Sequence, residues 1–155
     1  MLPVGEQAPA FELPNQDGDS VSLAAFEGER VVVYFYPRAN TEGCTTEACG
    51  FRDSWDAFTE QGIGVLGISD DPVEDLKAFH TDYELPFDLL SDEDGEVATQ
   101  YDSYGEKKMF GNTFDGVFRN TYVIDADGAI TQTYEGVSPE GHADEILADI
   151  DDATC

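Results

Sequence analysis

Two of the three cysteines, Cys44 and Cys49, lie five residues apart and are the residues best suited to chemistry. Cys44 follows a predicted buried strand and falls in the first turn of a predicted helix. There the helix dipole and the free backbone N–H groups stabilise an anion, which favours a reactive thiolate. One close pair among an odd number of cysteines, in a reducing compartment, favours thiol chemistry or metal binding over a structural disulfide framework.

The spacing of these two cysteines restricts how they can react with each other. On an intact helix, residues i and i+5 lie about 140° apart around the axis, and their Cα atoms are about 8.5 Å apart. A disulfide needs Cα atoms closer than about 7 Å, so a Cys44–Cys49 bond requires the first turns of the helix to unwind. A transient bond fits this spacing. The alternative is that Cys49 packs as a small apolar residue beside Ala48.

Metal binding is the other chemistry open to a C-x4-C pair, because zinc ligands tolerate this spacing. A closed structural site needs four ligands, however. His80 and His142 are single residues in predicted helices, expected at partly exposed positions, and Cys155 is the last residue of the chain. The sequence therefore predicts neither a metal nor another cofactor.

The composition is strongly acidic, since 34 Asp and Glu oppose 7 Lys and Arg and the net charge is −27. Without a basic patch to neutralise phosphates, neither nucleic acid nor a membrane surface is expected as a partner. The acidity favours adaptation to a high-salt cytoplasm, where a Debye length of about 3 Å at 1 M salt screens self-repulsion. The alternative is an interaction surface for a basic partner, or a mimic of nucleic acid.

The hydrophobic periodicity predicts one α/β domain over residues 1–155. Buried strands are predicted at residues 31–36 and 63–69, and hairpins at 11–23 and 121–134. Helices are predicted from Cys44 to a stop at Gly62, from Pro72 to Tyr83, and from a Ser138 cap to Ile150, whereas residues 87–90 are ambiguous. No apolar run could cross a bilayer and no signal-peptide pattern is present, so we expect a soluble, cytoplasmic protein.

The residues around Cys44 resemble a known family. Pro37-x-x-x-Thr41-x-x-Cys44 resembles the active-site signature of the peroxiredoxins, and residues 43–53 resemble their bacterioferritin-comigratory, or Q-type, branch. Blocks at residues 5–11, 104–111 and 119–125 match the same branch, so the resemblance covers nearly the whole chain. It implies a thioredoxin-like α/β fold with a central mixed sheet, an N-terminal β-hairpin extension and flanking helices.

The resemblance implies the roles of four residues in one active site. Cys44 would be the peroxidatic cysteine, whose thiolate attacks a peroxide oxygen and becomes a sulfenic acid. Thr41 would hydrogen-bond the thiolate and orient the peroxide, and Pro37 would shield the sulfur from bulk water. Arg119 would favour the thiolate and the developing oxyanion through its permanent charge. The alternative for Arg119 is a surface salt bridge.

Two further residues complete the implied site. Cys49 matches the resolving cysteine of this branch, which would form an intramolecular disulfide with Cys44 that a thioredoxin-like donor then reduces. Glu47 would orient Arg119, or else it is a first-turn acid favoured by the helix dipole. Relatives in this branch are often monomeric, so a monomer is expected, with a dimer as the alternative. The resemblance assigns no role to Cys155.

One departure and two rival functions remain open. Glu42 stands where many relatives have proline, and its charge opposes formation of the thiolate. A thioredoxin-type disulfide oxidoreductase would share the fold, but it normally carries C-x-x-C at the helix start, which this chain lacks. A non-catalytic thioredoxin-fold module could present an acidic face for binding. The intact set of thiol, hydroxyl, proline and arginine disfavours that function.

If the acidity is an adaptation to salt, the folded state should lose stability as salt is removed, because unscreened carboxylates repel one another. We expect the midpoint of thermal unfolding, followed by circular dichroism, to fall on going from molar to millimolar KCl. A midpoint that stays constant over this range would contradict the salt-adaptation hypothesis.

Overall fold

Strands and helices alternate along most of the chain, as the changes in hydrophobic period predict. The computed structural model describes residues 2–37, 42–109, 112–137 and 141–154. The strands are β1 Glu12–Pro14, β2 Ser20–Ser22, β3 Arg30–Phe35, β4 Ile63–Ser69, β5 Asp88–Ser91, β6 Tyr104–Met109, β7 Asn112–Val117, β8 Thr121–Ile124 and β9 Ile130–Tyr134. The helices are α1 Glu42–Asp53, α2 Trp55–Glu60, α3 Val73–Asp82, α4 Glu96–Gln100 and α5 His142–Thr154, with a 3-10 helix at Leu23–Phe26.

The unbroken apolar run at residues 31–36 forms the middle of a five-stranded sheet with the order β5-β4-β3-β8-β9. Strands β3, β4 and β5 are parallel, whereas β8 and β9 are antiparallel to their neighbours, so the sheet is mixed. Alternate β3 residues enter two separate cores, Val32 on the side of α1, α2, α3 and α5, and Val33 on the side of α4. The prediction of a central strand covered on both faces is confirmed.

The N-terminal hairpin of β1 and β2 covers one edge of this sheet. Its turn is held by the Asn15 Oδ1, which accepts hydrogen bonds from two backbone N–H groups of the turn at 2.9 and 3.0 Å. The Gln16 Oε1 accepts from the N–H of Leu89 on the edge strand β5 at 3.0 Å. The hairpin predicted at residues 11–23 is confirmed, and it protects an otherwise open strand edge.

The structure differs from the predicted elements in three places. The helix expected from Cys44 to Gly62 is divided into α1 and α2 at Ser54, whose ψ of 7° departs from the helical value. The β6–β7 hairpin was not predicted, because its sequence is charged and rich in glycine rather than alternating. Helix α4 has five residues, too few to show a period. The Ser138 cap lies outside the described residues, but the helix expected after it is present as α5.

The prediction that His142 is partly exposed is wrong, because this residue is only 2% exposed. Its Nε2 lies 2.9 Å from the Thr121 Oγ1, and its Nδ1 lies 3.1 Å from the Glu145 Oε1. Its ring also contacts Phe51 and Tyr134 edge-on. Burial is tolerated because both ring nitrogens keep polar partners. Within the described parts of the chain, none of the helices has the length and apolar character to span a membrane.

Gly67 on β4 leaves room for the side chain of Tyr34 on the neighbouring strand β3. A Cβ at this position would lie 2.8 Å from the Cζ and Oη of Tyr34 and 3.0 Å from the Cδ2 of Leu89, and both side chains are fully buried. We therefore expect Gly67→Ala to lower the free energy of unfolding by about 1–3 kcal/mol, as overpacking of a dense core does. The measurement is the midpoint of urea unfolding.

Gly64 on the same strand supplies a matched control. A Cβ there would lie 2.7 Å from the ring of Phe26, but that side chain is only half-buried and can move outward. Gly64→Ala should therefore lower the free energy of unfolding less than Gly67→Ala does. Equal losses of unfolding free energy in the two variants would contradict the explanation by overpacking.

Candidate active site

Cys44 lies at the point where the chain leaves the central strand and enters its first helix. It is the third residue of α1 and is 1% exposed. It belongs to the same core cluster as Tyr34 on β3 and Tyr36, which follows the last residue of that strand. The predicted position of Cys44 in the first turn of a helix is confirmed, and its sulfur is removed from bulk water.

Arg119 connects this sulfur to a buried carboxylate. Its Nη2 donates to the Cys44 Sγ at 3.4 Å, and its Nη1 donates to the Glu47 Oε1 at 2.9 Å. The side chain of Glu47 is fully buried, and that of Arg119 is 17% exposed. The fork of one guanidinium therefore holds both groups, a geometry that the compact ammonium of lysine cannot reproduce.

The backbone around Arg119 is held by bonds to three other parts of the fold. Its carbonyl accepts from the N–H of Val137 at 2.8 Å. The next residue, Asn120, is 2% exposed and accepts from the N–H of Phe35 through its own carbonyl at 2.8 Å. Its side chain donates to the Ser103 Oγ at 3.0 Å and accepts from the N–H of Gly136 at 3.0 Å.

Sequence reasoning overlooked Asn120. A signal was present, because a carboxamide between Arg119 and an apolar strand must satisfy its polar atoms when it is buried. Its partners could not be identified in advance, since they come from three separate parts of the chain. Asn120 fixes the place from which the Arg119 side chain extends.

Burial dominates the electrostatics of Glu47. It raises the pKa of this carboxyl from its ordinary 4.5 to about 7, while the charge and hydrogen bond of Arg119 act in the opposite direction. Among the described residues, the Glu47 Oε2 has no hydrogen-bond partner. Burial alone would lower the pKa of Arg119, but the charges of Glu47 and Cys44 outweigh it and raise the pKa. Arg119 therefore remains a cation.

The second half of α1 is anchored by aromatic packing below the site. The ring of Phe51 stacks on Tyr34 at a centroid distance of 4.7 Å and meets Phe58 and Phe87 at 5.8 and 6.3 Å. Burial raises the pKa of Tyr34 well above its ordinary value, so its hydroxyl stays protonated. Aromatic pairs of this kind stabilise by about 0.5–1.5 kcal/mol each beyond their area burial.

Cys49 lies on the same helix and is half-buried, and both it and Cys44 are free thiols in this structure. Helix α1 runs unbroken through both residues, so helix geometry keeps their Cα atoms about 8.5 Å apart. Pro37 is half-buried and follows the central strand. Thr41 and Cys155 lie outside the described residues, and so does the side chain of Glu42.

The described side chains can therefore support nucleophilic chemistry at one sulfur. A buried thiol at a helix start faces a fixed cation, which stabilises negative charge on the sulfur or on an oxygen bound next to it. In the described ranges, groups of three or more His, Cys, Asp or Glu side chains placed to share a metal ion are absent.

Comparison with known proteins identifies the family to which this arrangement belongs. The model of the AhpC/TSA family matches residues 4–133. A putative peroxiredoxin of Mycobacterium tuberculosis is 49% identical over 96% of this chain and 95% of its own length. Peroxiredoxin Bcp of Escherichia coli is 47% identical over 94% of each chain.

A solved structure extends the likeness to three dimensions. The bacterioferritin comigratory protein of Xanthomonas campestris superimposes with a TM-score of 0.88 at 32% identity, covering 94% of this chain and 92% of its own. The thioredoxin-like fold, with its mixed central sheet and flanking helices, is thereby confirmed. The chain belongs to the AhpC/TSA family, among the peroxiredoxins of the bacterioferritin-comigratory, or Q, type.

Proposed function

We propose that this chain reduces hydrogen peroxide and organic hydroperoxides with the thiolate of Cys44. Peroxiredoxins of the Bcp and Q type are thiol-dependent peroxidases. The Xanthomonas relative is described with an alkyl peroxide reduction activity. The observation that carries the proposal is the Arg119 guanidinium, which binds the Cys44 sulfur at 3.4 Å and is itself held by a buried carboxylate.

In the first step the Cys44 thiolate attacks one oxygen of the peroxide. A sulfur–oxygen bond forms, the oxygen–oxygen bond breaks, and the leaving oxygen takes up a proton from solvent and departs as water or alcohol. The sulfur is oxidised to a sulfenic acid while the peroxide is reduced. Negative charge moves from sulfur to the departing oxygen, and the fixed charge of Arg119 can stabilise it at both ends of this path.

Two residues beside Cys44 would shape the peroxide pocket. Thr41 would donate its hydroxyl hydrogen to the thiolate or to the bound peroxide and so set the line of attack. Pro37 would keep bulk water from the sulfur, which strengthens the electrostatic effect of Arg119. Both roles rest on the family signature around Cys44.

In the second step the Cys49 thiol would attack the sulfenic sulfur. A sulfur–sulfur bond forms, water leaves, and the product is an intramolecular disulfide. The intact helix keeps the two Cα atoms too far apart, so the first turns of α1 must unwind before the bond can close. The half-burial of Cys49 supports this role, because moving its side chain sacrifices less packing than moving a fully buried one would.

A dithiol protein of the thioredoxin class would then return both cysteines to thiols by exchange. The donor's two thiols supply the electrons and protons that the disulfide takes up. The peroxide and the dithiol donor would be its two partners. The chain would act as a monomer in the cytoplasm. The strong surface acidity favours a donor whose docking face is basic or neutral, since like charges oppose encounter.

Replacement of the attacking sulfur tests the first step. We expect Cys44→Ser to reduce consumption of hydrogen peroxide by the reduced protein, in molar KCl, to the background rate of buffer, because a hydroxyl is a far weaker nucleophile at neutral pH. Cys49→Ser should still consume about one equivalent per chain. Undiminished consumption by Cys44→Ser, or none by the wild type, would overturn the proposed function.

The second step predicts a specific covalent product. One equivalent of peroxide should convert the wild type to a form in which Cys44 and Cys49 are joined within one chain, detected as a linked peptide by mass spectrometry. The mass of the denatured, unreduced protein should remain that of a single chain. A link from Cys44 to Cys155 would move the resolving role to the C-terminus, and a link between chains would contradict the intramolecular step.

A further inference from the structure

We propose that Glu47, besides holding Arg119, controls whether the first half of α1 stays folded for peroxide attack or unwinds for disulfide formation. The inference rests on the proposed function, because it concerns the two steps assigned to Cys44. It gives Glu47 the role of a positioning residue for the resolving step. Three features of the described residues support it.

The first feature is the unequal anchoring of the two halves of α1. In the second half, Phe51 packs against four aromatic rings, those of Tyr34, Phe58, Phe87 and His142. Next to it, the Arg52 Nη1 donates to the carbonyl at the end of α3 at 2.8 Å. These contacts hold the last turn of α1 in place, so unwinding is confined to the residues before Phe51, which include Cys44, Glu47 and Cys49.

The second feature is the cost of keeping Glu47 inside the folded helix. Its side chain is fully buried, only its Oε1 is bound, by Arg119, and its Oε2 is buried without a partner among the described residues. A charged carboxylate that is desolvated and half-satisfied destabilises the conformation that contains it. Unwinding of the first turns returns this carboxylate to water, so its charge favours the open form.

The third feature is the reaction itself, which removes one of the two anions that Arg119 binds. When Cys44 becomes a neutral sulfenic acid, its attraction to Arg119 and to the helix dipole weakens. The burial cost of Glu47 remains. Oxidation therefore shifts the balance towards unwinding at the moment when Cys49 has to reach the sulfur.

Among the groups around the Arg119–Glu47 pair, Glu47 is the one whose protonation state we expect to change near neutral pH. Arg119 remains charged, and burial raises the pKa values of Tyr34 on β3 and of Tyr36 just after this strand above their ordinary value of 10, so both hydroxyls stay protonated. On α5, burial lowers the pKa of His142 and so favours its neutral form. Cys44, on the helix itself, binds the same guanidinium, so a test has to remove its thiol.

The direction of the pH effect follows from the two forms of the helix. In the folded form the pKa of Glu47 is about 7, and in water it returns towards 4.5. The folded form thus binds more protons, and the stability that protonation confers on it is complete below about pH 4.5. That stability is lost as the pH rises through about 7, so unwinding becomes more frequent over this window.

Hydrogen exchange of the backbone amides measures this opening without peroxide chemistry. The background is Cys44→Ser/Cys49→Ser, which removes both thiols, and the probe is the protection factor of amides 45–49 between pH 5 and pH 8. We expect protection to fall about tenfold or more with rising pH, since each unit of pKa difference corresponds to a tenfold change. Glu47→Gln should keep protection high and independent of pH.

Two controls define a specific result. Glu60→Gln on the exposed surface of α2 removes one charge without touching the site, and it should leave the pH dependence unchanged. Amides 51–53 should not change with pH in any variant, because aromatic packing and Arg52 anchor that half. Equal protection at pH 5 and pH 8 in the background protein, or an unchanged pH dependence in Glu47→Gln, would overturn the inference.

A second measurement connects the opening to the chemistry and separates the two proposals. With excess peroxide, the sulfenic acid partitions between sulfinic acid and disulfide, and mass spectrometry gives the ratio independently of the first step. At pH 8, Glu47→Gln should yield several-fold more sulfinic acid than the wild type does, because its helix stays folded longer. An equal ratio would overturn the inference with the peroxidase intact. If the protein does not consume peroxide but its helix still opens more at higher pH, only the proposed function is overturned.

Discussion

The arrangement of the site depends on one guanidinium shared between a thiol and a carboxylate. Arg119 is bound to Cys44 at 3.4 Å and to Glu47 at 2.9 Å, and all three groups sit where little water can compete. Because the charge of arginine is permanent, the sulfur keeps a cationic neighbour at every physiological pH. The hydrogen bonds of Asn120 to three parts of the fold support this contact, because they fix the backbone position from which the Arg119 side chain extends.

The same contact brings with it a buried carboxylate, which is an unstable component of a folded helix. As a carboxylate, Glu47 is buried with Arg119 compensating part of its desolvation. Phe51 and Arg52 place the strong anchors in the second half of the helix. The proposed function requires rigidity for attack on peroxide and mobility for disulfide formation, and one helix whose halves are unequally anchored would supply both.

Much of the sheet and of the site could be predicted because the signals were local. The apolar run at residues 31–36 indicated a strand covered on both faces, and the Asn15 turn indicated a hairpin. The features that were overlooked lack a local hydrophobic signal. The glycine-rich hairpin Tyr104–Val117 is held by its cross-strand ladder. The burial of His142 on α5 depends on a hydroxyl from Thr121 on β8, which no local pattern predicts.

The sequence alone predicts the cysteine pair, the helix start that stabilises a thiolate, and the spacing that excludes a disulfide in an intact helix. These are properties of short segments, set by covalent geometry and helix period. The tertiary structure brings the Arg119 side chain to both Cys44 and Glu47, which lie more than seventy residues away in the chain. It also decided that the carboxylate is buried with one oxygen unpaired, because desolvation depends on everything packed around a group and not on its neighbours in sequence.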